Sequence, residues 1–192
     1  MLLSIDTTAG TSAAVFDKDC KSFVLFEDPF GHAENIGLAI EQALAAGDVT
    51  MQQISAVAVA RGPAPYTGLR VGMAAAIALS RARALPLHAV MTLDAIAHSL
   101  NLESVLVTTD AKRRELFAAT YRGGEKLAGP MLLMPSEIAN YPEFELIQRS
   151  CDARLVGEYA QAALVNKVDL SDLSALYLRS PDVTLSAGKK VS

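Results

Sequence analysis

The sequence predicts an α/β protein of two lobes, each a mixed sheet with helices, the second lobe reduced. Three observations point there. The first hundred residues read as three short strands, a helix, a fourth strand, a second helix and a short fifth strand. The next stretch starts the same plan again, with Asp6 and Asp110 closing the first strand of each round. And 192 residues, 51% of them hydrophobic, are ample for a core, since chains of this size bury roughly 70% of their extended surface. The boundary is placed so that residues 1–100 form the N-terminal lobe and 101–192 the C-terminal lobe.

Residues 2–5, 12–16 and 22–26 are apolar or small and β-compatible, with AGT and DKDC between them as turn material, so they read as three antiparallel strands. From Glu34 the period changes: Ile36, Ala39, Ile40, Ala43 and Leu44 recur at helical spacing up to Gly47. ISAVAVA, 54–60, is apolar on both alternations, as a strand covered on both faces would be. A Gly/Pro-rich loop leads to a helix from about Gly68 to Ala84, stopped by Leu85-Pro86. LHAV is a short strand, and Thr92 is expected to cap a helix running to about Leu100. Then SVLVTTD, a tight polar link, LFAATYR, a Gly-rich turn and a third strand repeat the opening order, which suggests two related halves facing each other across a cleft. Shorter helices are expected at 136–140, 158–165 and 171–178.

A net charge of -4 and a pI near 5.4 argue against a protein that grips nucleic acid unaided, because that takes several cations on one face. MLLSIDTT reaches an acid within a few residues, so it reads as a strand and not as a signal peptide. No uncharged apolar stretch is long enough to cross a bilayer, and a cytoplasmic protein is expected. Cys20 and Cys151 sit in no CxxC or Cys/His spacing and read as reduced thiols.

RGPAPYTGLRVG, residues 61–72, is either a phosphate cradle or a place where another backbone comes close. It lacks the GxxxxGK[ST] of a P-loop, and the chain also lacks GxGxxG, GxSxG and HExxH. His32, His88 and His98 form no ligand cluster by spacing. Thr67-Gly68 opens a helix whose free N–H groups would accept an anion. Asp6, Thr7 and Thr8 could orient a metal or phosphate at a strand end, or could simply satisfy their own turn. With Asp110 these make a candidate phosphate or nucleotide cleft. A different signal lies along the helix, where Gly68, Gly72, Ala76 and Ser80 recur every fourth residue with Ala75 and Ala78 alongside. A glycine inside a helix costs about 1 kcal/mol relative to alanine, so close packing against Gly72 is expected to compensate. Lys112, Arg113 and Arg114 form the densest basic cluster, which a solvated turn explains.

Taken together, LLSIDTTAGTSAAVFD, RGPAPYTGLRVG, TTDAKRRELFAATY and LYLRSPDV resemble the bacterial TsaB (YeaZ) family, and the resemblance covers most of the chain. The loop is its most specific part. Departures are Ala64-Pro65-Tyr66 in place of Gly-Ser-Phe, Lys112 in place of Arg and Arg114 in place of Gly. The resemblance implies the actin/Hsp70/sugar-kinase (ribonuclease H-like) fold and a non-catalytic role. A TsaB-like chain would bind and activate TsaD, the subunit with metal-binding histidines and the nucleotide site, in threonylcarbamoyl transfer to adenosine of ANN-decoding tRNAs. A TsaE-type ATPase would complete the system, and tRNA would be met only through the complex. The expected contact is helix on helix, using Ile36, Ile40 and Leu44 with Gly68, Gly72, Ala75, Ala76 and Ser80, toward TsaD or a second copy. No intrinsic cofactor or metal is implied, with ATP and Mg²⁺ at the level of the complex. Two other readings stand beside it: an ATP-using enzyme of the same superfamily with Asp6 and Asp110 flanking the nucleotide, and a glycoprotease-like peptidase, for which no nucleophile constellation is seen.

Overall fold

A computed structural model describes residues 1–179. The last part of LYLRSPDV, from Ser180 to Val183, lies outside the described residues. The first sheet holds β1 (Leu2–Asp6), β2 (Thr11–Phe16), β3 (Cys20–Phe26), β4 (Ala56–Ala60) and β5 (Leu87–Val90), in the order β3-β2-β1-β4-β5. The second holds β6 (Ser104–Asp110), β7 (Leu116–Arg122), β8 (Glu125–Leu133) and β9 (Glu145–Gln148), in the order β8-β7-β6-β9. In each, the first strand pairs antiparallel with the second and parallel with the fourth. The echo in the sequence is therefore a repeat in topology, and Asp6 and Asp110 end equivalent strands.

Every residue of β1 and β2 is buried, because helices cover both faces of the first sheet. On one face, Leu3, Ile5, Val15, Val57 and Val59 meet Ala39 and Ala43 of α1 (His32–Ala46) and Leu69, Met73 and Ala76 of α2 (Tyr66–Arg83). On the other, Leu2, Ala14, Phe16 and Ala58 meet Val156 and Ala160 of α4 (Ala153–Val165), and this core continues through α3 (Thr92–His98) into Val105, Val107 and Ala119 of the second sheet.

The entry of α4 is fixed from beneath. Asp152 caps the helix with its carboxylate, and two buried serines hold the next residue: Ser12 Oγ accepts from Ala153 N at 2.9 Å while Ser4 Oγ donates to Ala153 O at 2.6 Å. These serines explain why polar residues interrupt otherwise apolar strands, since a buried hydroxyl is tolerated when it is hydrogen-bonded.

Several expectations need correction. α4 starts at Ala153 and is longer than the 158–165 expected, and the 136–140 turn is a 3₁₀ helix, Pro135–Asn140. The edge strand β9, only four residues, was not anticipated. Residues 171–178 are not helical: Ser171 N and Ser174 N donate to the carboxylates of Asp169 and Asp172, local bonds that compete with a helical ladder. The segment instead runs as a strap along the first sheet, with Ala89 N donating to Leu170 O, Leu176 N to Arg61 O, and Arg61 paired with Asp172 at 2.8 Å. The two sheets divide near residue 100, but α4 and this strap lie on the first sheet, so chain order and lobe diverge after residue 150. Thr92 does not cap α3: Met91 holds that place, and Thr92 is buried with no partner for its hydroxyl among the described residues.

Gly157 of α4 lies against the Phe16 ring so closely that an added Cβ would overlap it. Gly157→Ala should therefore lower stability in urea unfolding by about 1–3 kcal/mol, although alanine is the better helix former.

Candidate functional site

The first candidate region is a cavity of about 770 Å³ between the ends of β1 and β6. Thr7 and Thr8 reach it from the β1–β2 turn, Thr67 and Gly68 from the start of α2, and Asp110 and Lys112 from the end of β6. The structure thus brings together five of the six residues read as a possible phosphate cleft. The sixth, Asp6, does not line the cavity. It is 1% exposed, and its carboxylate accepts hydrogen bonds from Thr8 Oγ1 at 2.9 Å and Thr8 N at 3.3 Å.

Burial pushes the Asp6 carboxyl up to about 7, Thr8 pulls it partly back, and Asp152 adds a further push upward. Asp110 is held below the ordinary carboxylate value by Lys112, which donates to it from both N and Nζ against the opposing effect of burial. Cys151, also on the wall, keeps its proton because burial drives its thiol well up.

At the start of α2 no side chain caps the free N–H groups. Pro65 occupies the N-cap position with no side-chain bond, and Thr67 is an exposed residue of the first turn. A magnesium polyphosphate would need ionised carboxylates and spare cations on this wall. Among the described residues Lys112 is the one Lys or Arg lining it and its charge is already met by Asp110, while Asp6 is enclosed and its carboxyl is pushed up to about 7. The residues present do not fit that group. Among the described residues, no three His, Cys, Asp or Glu side chains converge on a metal position.

The 61–72 stretch does serve close backbone approach, but within the chain. The Thr7 hydroxyl stands across one rung of α2, donating to Gly68 O at 2.8 Å and accepting from Gly72 N at 3.1 Å. A Cβ on Gly72 would strike that hydroxyl, and one on Gly68 would strike Thr7 O and the ring of His32. Gly62, at φ +97°, leaves room for Leu176 O of the strap. His32, buried beside the cavity, shares a hydrogen bond through Nδ1 with Thr11 Oγ1.

The small-residue stripe expected to meet a partner is therefore corrected. Gly68, Gly72 and Ala76 face the chain's own sheet, and a charge at Ala76 would enter the chain's own core. Ile36, Ile40, Leu44, Ala75 and Ser80 are half-buried at its margins.

The second candidate region is the opposite side of the same two helices. On α2 it shows Thr67, Arg70, Ala74, Ala78 and Arg81, and on α1 Ala33, Gly37, Leu38, Glu41 and Ala45. Leu38 is 47% exposed, and a Cβ on Gly37 would meet nothing within 4 Å. Gly37 is a mid-helix glycine that the chain's own packing does not require. Its signal in the sequence is a glycine opposite the apolar stripe of α1. Among the described residues, no helix is long and apolar enough to cross a membrane.

Two mixed sheets of matching topology, a cavity between their first strands and two helices on one outer face define a two-lobed α/β protein. The chain belongs to the family described as TsaD, tRNA N6-adenosine threonylcarbamoyltransferase, whose model matches residues 30–178. It is 37% identical to an uncharacterised protein of Mycobacterium leprae over 95% of this chain, and 29% identical over 65% of this chain to the Escherichia coli tRNA threonylcarbamoyladenosine biosynthesis protein TsaB. The chain spans 55% of the first of these proteins and 56% of the second. A solved Pseudomonas aeruginosa protein, described as similar to peptidase YeaZ, superposes with a TM-score of 0.77 over 93% of this chain and 99% of that one. At 20% identity this is a likeness of fold.

Asp6 sets a pH dependence of stability. Its folded value, about 7, exceeds the ordinary 3.8, so its favourable share is complete below pH 4 and is lost as pH rises through 7. On the order of 4 kcal/mol separates the two limits. Melting curves from pH 4 to 8 should show Asp6→Asn losing less stability with rising pH than the wild type; parallel curves would contradict the assignment.

Proposed function

We propose that this chain is a non-catalytic subunit in tRNA threonylcarbamoyladenosine formation, which pairs with a TsaD-type transferase through the outer face of α1 and α2 and supports its active state. Its family and its likeness to proteins named TsaB support the pathway. The observation that carries the pairing is Gly37. A glycine within a helix gives up about 1 kcal/mol relative to alanine, and nothing among the described residues packs against it to compensate. With Leu38 exposed beside it and Ala74 and Ala78 across on α2, the face is small-featured enough for another helix to come close. A second copy would occupy this face when the transferase is absent, a TsaE-type ATPase would join the assembly, and tRNA would be contacted through the transferase.

An ATP-using enzyme is the second reading, favoured by the convergence of Thr7, Thr8, Thr67, Gly68 and Asp110 on one cavity. The charge of that wall weighs against it. Titration of the isolated chain with Mg-ATP in a calorimeter separates the two: the subunit reading expects no saturable heat.

Reconstituted tRNA modification should depend on this chain although the chain alone turns nothing over. Gly37→Ala should stabilise the isolated protein by about 1 kcal/mol, and Gly37→Leu should keep the fold while weakening transferase binding at least about tenfold, the scale of overpacking a close contact. Full modification without the chain, or wild-type binding by Gly37→Leu, would overturn this reading.

A further inference from the structure

The helix α2 carries three arginines and no acid, in a chain of net charge -4. Two of those arginines, Arg70 and Arg81, are exposed on its outer side, and Arg70 is held in place. Its guanidinium lies 3.6 Å from the centroid of the Tyr66 ring, one turn earlier, and its Nε donates to Tyr177 Oη of the strap at 3.2 Å. The two tyrosine rings pack on each other with centroids 4.7 Å apart. No acid among the described residues pairs with Arg70.

This is more order than tethering the strap requires. Arg61 already fixes the strap through Asp172 and Ser174, and backbone bonds from Leu176 N to Arg61 O and from Ala89 N to Leu170 O fix it again. What the stack adds is an exposed Arg70 guanidinium with one edge committed to Tyr177, one face covered by Tyr66, and no hydrogen bond from its terminal nitrogens to any described residue. A long side chain ordinarily gives up rotamer freedom on binding, and here that loss is met before any partner arrives. A planar fork so presented suits a carboxylate bidentately, which a lysine would not reproduce.

We infer that Arg70, set by Tyr66 and Tyr177, is a specificity element of the α1–α2 face and receives an Asp or Glu carboxylate of the transferase partner. This rests on the pairing proposed above. The α1 half of the face carries Glu41 and the α2 half Arg70 and Arg81, so the acidic counterpart is expected opposite α2, where the small residues Ala74 and Ala78 let it approach.

Surface plasmon resonance of the full chain against the TsaD-type protein of the same genome, at low and high salt, tests it. Arg70→Ala and Arg70→Lys should each weaken binding on the order of tenfold or more, as loss of a charged hydrogen-bonded pair does. The Arg70→Ala complex should also lose part of its salt sensitivity. Tyr177→Phe, which keeps the charge and releases only Nε, should cost less. If Gly37→Leu abolishes binding while Arg70→Ala binds as wild type, the carboxylate is refuted and the pairing stands; if Gly37→Leu also binds normally, the pairing fails with it. Full rescue by Arg70→Lys would overturn the fork, and an Arg70→Ala loss that ignores salt and tracks a lower melting temperature would reduce Arg70 to a structural tether. Self-association disrupted by Arg70→Ala with transferase binding untouched would overturn the choice of partner.

Discussion

The hydroxyl of Thr7, lodged across the rung between Gly68 and Gly72, sets the depth at which α2 lies on the first sheet. Any side chain at either glycine would lift the helix off the end of β1. With α2 pressed down, Leu69, Met73 and Ala76 reach the core, Gly68 comes against His32 of α1, and the loop before the helix closes one wall of the cavity. The side of α2 that carries Arg70, Ala74 and Ala78 is turned outward as a consequence.

That geometry separates two properties that the sequence seemed to join. Small residues on the inner side of α2 serve self-packing, and the same feature on the outer sides of α1 and α2 has no partner among the described residues. The cavity behind Thr7 shares the inner side's logic. The Thr7 and Thr8 hydroxyls on its wall are committed within the chain, Lys112 is paired with Asp110, and Asp6 is shielded to the point of holding its proton near neutrality.

Much of the architecture was legible in sequence because it depends on period and punctuation. The short apolar strands at 2–5 and 12–16, the strand covered on both faces within 54–60, the helical spacing of Ile36 through Leu44, and the repeated strand ending in Asp all reappear in the structure. That Thr7, Thr8 and Asp110 share one cavity follows from the repeat, which ends equivalent strands there, while Thr67 and Gly68 join it through the start of α2. The direction in which the Gly68–Gly72–Ala76 row points was not legible, since spacing defines a stripe but not what covers it. Residues 171–178 misled for a related reason: Asp169 and Asp172 turn the backbone locally, and the strap's bonds are to Arg61 and Ala89, more than eighty residues away in sequence. Tyr177 and Arg70 could not be linked without that fold.

The central claim is that this protein acts through the outward side of α1 and α2. Hydrogen–deuterium exchange of the chain with and without the TsaD-type transferase measures it most directly. Slowed exchange concentrated in residues 32–46 and 66–83, with β7 and β8 unchanged, is the predicted result. Slowed exchange on the second sheet or around the exposed Val165 at the end of α4, with both helices unaffected, would contradict it.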